Sequence, residues 1–122
     1  MSEQQPYRRE SEPTFSKRPE GYQETLEMLK QPNSRPFYDT VLKYAPDTFM
    51  NVKEFGKECL KELKTIPAAN PFDCIADVVH MLDHLVQAGA VESKRVDIRE
   101  GHYDRLVGAR IEYRRIMKSL DA

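Results

Sequence analysis

Residues 71–93 read PFDCIADVVHMLDHLVQAGAVES, and a change of period inside this stretch sets the architecture. Ile75, Val78, Val79, Leu82, Leu85 and Val86 fall within about a third of a helix circumference at roughly 100° per residue, which predicts an amphipathic helix opened by Pro71. Asp73, Asp77, His80, His84 and Gln87 take the reverse side. Gly89 stands where a left-handed cap belongs, so the helix is expected to stop near Ala88. The pattern then alternates. Val96 and Ile98 line one face of a strand, while Ala109, Ile111 and Tyr113 line one face of the next and Arg110, Glu112 and Arg114 point the other way. Between the two strands, REGHYDRLVG (residues 99–108) reads as a long, exposed hairpin loop.

Upstream, three further helices are predicted. Tyr22, Leu26 and Leu29 recur at helical spacing before Pro32, and Pro36 is a favoured first helical residue for PFYDTVLKYA, with Phe37, Val41 and Tyr44 on one side. Asn51 is the expected N-cap of the next helix, with Glu54 three residues on. Its apolar stripe is Val52, Phe55, Cys59, Leu63 and Ile66, opposite a row of Lys53, Lys57, Lys61 and Lys64. Glu54 and Glu58 neighbour that row, so a solvated, charge-balanced face is one reading and a phosphate-tracking face the other. Residues 1–19, broken by Pro6, Pro13 and Pro19, read as an extended or disordered arm whose only apolar anchors are Tyr7 and Phe15. Residues 20–122 are expected to form a single domain.

The 122 residues carry 19 basic and 20 acidic side chains, so no global field draws the chain toward nucleic acid or an anionic membrane. The distribution is uneven: no Lys or Arg lies between Lys64 and Lys94, while the last thirty residues are basic. No window approaches the roughly 20 apolar residues of a membrane span, and no signal-peptide pattern opens the chain, so a cytoplasmic protein without membrane contact is expected. Cys59 and Cys74 lack metal-ligand spacing and read as free thiols in a reducing compartment.

Three helices followed by a two-stranded hairpin, with Leu85, Gly89 and the Ala90-Val91 pair closing the last helix, resemble the winged helix-turn-helix superfamily over about residues 36–117. The resemblance implies a mainly α fold with a small β-hairpin, in the order α-α-α-β-β, preceded here by an extended arm and a short extra helix. In DNA-binding members of that superfamily the second helix crosses the backbone and the third enters the major groove. By that implication Lys53, Lys57, Lys61 and Lys64 would follow phosphates, and Arg99, His102 and Arg105 at the hairpin tip would meet a minor groove. The helix that would enter the groove instead carries Asp73 and Asp77, which repel phosphates. The turn TIPAANP is also longer than is usual in such motifs.

Other chemistry is sparse. Asp77, His80 and His84 share a helical face at a spacing zinc accepts, and winged-helix metal sensors use similar pairs, but a complete ligand set needs a second element. Protonation of the two histidines beside aspartates would give a pH-dependent contact. No nucleophile motif, phosphate loop or cofactor fingerprint is present, and neither catalysis nor a cofactor is expected. The reading that results is a non-catalytic winged-helix adaptor or regulatory subunit. It would dock on a protein partner through Tyr7, Phe15, Asp73, Asp77, His80, His84, Tyr103 and Leu106, with a DNA-binding regulator as the alternative.

Overall fold

The computed structural model describes residues 7–68 and 72–122. The first six residues of the arm and Pro71, the expected helix opener, lie outside the described residues. Along the chain come β1 (Arg8–Glu10), β2 (Thr14–Phe15), α1 (Tyr22–Leu29), α2 (Arg35–Tyr44), β3 (Met50–Asn51), α3 (Val52–Leu63), α4 (Ile75–Gln87), β4 (Val91–Glu100) and β5 (Arg105–Arg115). All strand pairings are antiparallel. β4 and β5 form the central hairpin, β3 joins the free edge of β5, and β1 and β2 join β4 in succession along its other edge.

This arrangement corrects the expected mainly α fold with a small hairpin. The described chain is 38% helical and 25% strand, with four helices and a five-stranded sheet. Two physical causes account for the difference. The strands of the hairpin are ten and eleven residues long and run through most of the segment read as a loop. The connection is only Gly101 to Asp104, with Gly101 at φ 82° and Asp104 at φ 57°; aspartate is one of the few side chains that tolerate the left-handed region. In addition, the arm contributes strands held by backbone pairing, which leaves no apolar period to read.

The helices pack on one side of the sheet. Val78, Leu82 and Leu85 of α4 are fully buried against Val41 and Leu42 of α2, Cys59 and Leu63 of α3, and Leu26 and Leu29 of α1. Val91 and Tyr113 close the core from the sheet, and Leu120 seals it from the C-terminal segment, which is held by an Arg35–Asp121 ion pair. Cys59 is enclosed, and desolvation pushes its thiol up to about 12, so it behaves as a small hydrophobe. α3 begins where Asn51 Oδ1 accepts from the Lys53 N–H at 2.9 Å.

The register sets the two apolar strand rows on opposite faces of the sheet. Val96 pairs with Arg110 and Arg95 with Ile111, so Val96 and Ile98 occupy the face opposite Ile111 and Tyr113. Val96 is nonetheless only 3% exposed. It lies on the same face as cross-strand ion pairs: Arg110 with Glu10, Lys94 with Glu112, and Arg114 with Glu92. Beyond Ile98 the pairing shifts, Arg99 facing Leu106 and Ile98 facing Gly108, which leaves Val107 as a bulged extra residue.

Candidate functional site

The residues singled out in the sequence are distributed among three places and the outer side of α3. The first is the outward face of α4. The helix starts at Ile75, later than the sequence pattern suggested, because Asp77 turns back to cap it: its Oδ2 accepts the backbone N–H of Asp73 at 3.0 Å and of Cys74 at 3.2 Å. Those two backbone bonds hold the Asp77 carboxyl below the ordinary aspartate value. His84 is joined to α2, its Nδ1 lying 2.6 Å from the Tyr38 hydroxyl. With the phenol as donor, the neutral imidazole carries its proton on Nε2. Asp77 and His84 are therefore already engaged, one with the helix cap and one with α2. Among the described residues no cluster of three or more His, Cys, Asp or Glu side chains is assembled for a metal ion.

Asp73 and His80 remain exposed, as does Asp83. Asp83, absent from the expected site, accepts the hydroxyl of buried Tyr113 at 3.0 Å. Only the fold reveals this pairing, since the two residues are thirty positions apart on different elements. The described residues of the face thus combine Asp73, Asp83, His80 and Gln87 with no cationic Lys or Arg of their own. Beside it, a groove of about 360 Å³ between α1, α2 and α4 is lined by Met28, Tyr38, His84 and Gln87 among others.

The second place is the hairpin tip, and it is braced. Arg9 of the arm reaches Asp104 at 2.5 Å and the Gly101 carbonyl at 3.1 Å. The Gly101 N–H bonds to the Tyr7 carbonyl at 3.1 Å, and the Tyr7 ring lies 4.8 Å from that of His102. Arg99 donates to the Asp104 carbonyl. Of the three basic residues expected to face a minor groove, Arg99 is thus turned inward to the hairpin and His102 packs at a tilt against Tyr7 of the arm. Arg105 is exposed and makes no ion pair among the described residues. At the apex Tyr103 is 97% exposed, with Leu106 and Val107 also open to solvent. Tyr7, His102, Tyr103 and Arg105 line a shallow cleft of about 410 Å³. Val107 was missed because its exposure depends on the bulge.

The third place is the sheet face turned away from the helices. Phe15 packs 5.5 Å from Phe49, over which Arg114 and Lys94 also lie, at 4.9 and 5.8 Å. Phe15 is therefore engaged on its own sheet, although it stays half exposed. The row Lys53, Lys57, Lys61 and Lys64 projects outward from α3 and its C-terminus. Lys61 meets Glu58 at 3.6 Å, and the other three make no ion pair among the described residues.

The chain matches no protein-family model, no curated protein and no solved structure. Among the described residues, no helix is long and apolar enough to cross a membrane.

Proposed function

We propose that this chain is a non-catalytic docking module that binds a protein partner through the hairpin tip, with the acidic and histidine-bearing face of α4 as a second contact. One observation carries the reading: Tyr103 stands 97% exposed on a four-residue turn that Arg9, Arg99 and Tyr7 hold from three directions. A fully solvated tyrosine buries nothing and so adds little to the stability of the fold, whereas a rigid turn spares a partner the entropy of ordering an anchor. Aromatic anchors surrounded by smaller apolar groups dominate interface energetics. The element order helix, strand, helix, helix, strand, strand from Arg35 to Arg115 supports kinship with winged helices. It does not choose between protein and DNA as the bound partner.

The test compares wild type with Tyr103→Ala and with a Leu106→Ser, Val107→Ser pair, each purified from its native cytoplasm under identical conditions. A stoichiometric companion present with wild type and lost with both variants, at unchanged thermal stability, is the expected result. A companion retained by both variants would remove the tip from the interface. The second reading, DNA binding, is favoured by exposed Lys53, Lys57 and Lys64 and by Arg105. It predicts affinity for random duplex that falls steeply with salt and disappears when those four side chains are neutralised.

A further inference from the structure

We infer that the N-terminal arm is an exchangeable strand and that its alternative seat is the β4 edge of a second copy of this chain, so that the hairpin tip of each copy is braced by the other's Tyr7 and Arg9. The inference concerns how the tip is built, and it stands whether the tip binds a protein or nucleic acid.

The first argument is how the arm is held. Arg8 to Glu10 pair with Glu100 to Ile98, and Thr14 and Phe15 pair with Arg95 and Lys94. Between and beyond these strands, Ser11 N–H donates to the Asp97 carbonyl and Ser16 N–H to the Ser93 carbonyl, both at 2.9 Å. The serine hydroxyls accept in return, Ser11 from the Asp97 N–H and Ser16 from the Ser93 N–H. The ladder is interrupted at Glu12 and Pro13, where the register shifts by one residue between β1 and β2, and every residue of the two strands is exposed. Tyr7 and Phe15, the arm's aromatic anchors, are each about half exposed. Backbone bonds and surface ion pairs therefore hold the arm, with little apolar burial, and segments held in this way open locally at low cost.

The second argument is the site an opened arm leaves behind. β4 is ten residues long, and without the arm one of its edges presents unpaired N–H and C=O groups, which is a template for strand addition. The segment that fits it is defined by the arm's own contacts. It needs a guanidinium for Asp104 and the Gly101 carbonyl, a carboxylate for Arg110, two hydroxyls at Asp97 and Ser93, and an aromatic ring at Phe49. A second copy supplies all of these in the same order.

The third argument is the hinge. Six residues, Ser16 to Gly21, join β2 to α1, and they include Pro19 and a Gly21 held at φ 73°. A short, tightly turned connection favours exchange, because opening it relieves the turn while every strand contact is regained in trans. Reciprocal exchange closes a two-fold dimer with both β4 edges filled.

The experiment uses two full-length chains with tags of different mass, both carrying Cys74→Ser. One carries Ser16→Cys and the other Ser93→Cys; Cys59 is buried and does not react. The two are mixed at rising concentration and linked with a short bismaleimide, beside a single chain carrying both cysteines. The double-cysteine chain should link internally at low concentration. In the mixture, a mixed-tag dimer should exceed both same-tag dimers and grow with concentration, and Gly21→Ala, which strains the closed turn, should increase it several-fold. Mixed-tag product no greater than the same-tag dimers up to millimolar concentration, with or without Gly21→Ala, would overturn the exchange. Absence of the internal link would overturn the seating of the arm itself.

Discussion

Replacing Gly89 with alanine tests whether the arm and the helical core are coupled at a single point. Gly89 closes α4 at φ 74°, and an added Cβ would sit 3.0 Å from both Arg18 Nε and Tyr22 Cδ2. The left-handed conformation alone costs a non-glycine residue about 1–2 kcal/mol. The steric part adds to this. Arg18 lies 4.7 Å over the Tyr22 ring and donates to the Gly89 carbonyl at 3.4 Å, and displacing that stack loses about 0.5–1 kcal/mol. A total of about 1.5–3 kcal/mol corresponds to a fall in Tm of roughly 6–12 °C for a chain of this length. Gly21 is the internal control. Its φ is 73°, yet nothing lies within 4 Å of its added Cβ, so Gly21→Ala carries only the conformational cost of about 1–2 kcal/mol. The assay is thermal and urea unfolding at low micromolar concentration of both variants, each with and without Arg18→Ala. The Gly89 penalty should exceed the Gly21 penalty, and Arg18→Ala should shrink only the former. Equal losses in all backgrounds would refute the contact of Arg18 with the α4 terminus.

Three further outcomes follow from the packing and the cap. Leu82→Ala, at a fully buried position, should destabilise the chain by about 2–5 kcal/mol in urea unfolding; a loss under about 1 kcal/mol would mean that α4 is not central to the core. Tyr113→Phe removes the hydroxyl bonded to Asp83 and should cost about 0.5–1.5 kcal/mol, with the hairpin cross-peaks of an amide spectrum otherwise in place. The Asp77 carboxyl is lowered by the backbone N–H groups it caps. Its contribution is therefore fully present above the unfolded aspartate value of about 4 and fades as pH falls through the lower folded value. Asp77→Ala should thus be less stable than wild type at neutral pH and converge with it in strong acid, and a gap that stays constant across that range would rule out the cap.

Much of the helical architecture could be read from local pattern, because the cause is local. The stripe of Ile75, Val78, Leu82 and Leu85 repeats within one element, Asn51 caps the helix beside it, and Gly89 meets a backbone requirement at its own position. Strand partners are different, since they are chosen by residues distant in sequence. Arg8 to Phe15 carry no apolar alternation because backbone bonds and ion pairs to β4 hold them, so the arm's place in the sheet left no trace in the hydrophobic pattern. The same cause hid Asp83 of α4, whose partner Tyr113 comes from β5, and left open which sheet face Val96 takes, since that depends on a register set by β5. It also lengthened the expected hairpin loop, since Arg99 and Arg105 are polar yet paired within the ladder. The candidate site divides in the same way. Tyr103 and Leu106 could be suspected from an apolar pair in a polar loop, but the bracing of that loop by Tyr7 and Arg9 exists only once some ninety residues of chain have folded back to bring the arm and the turn together.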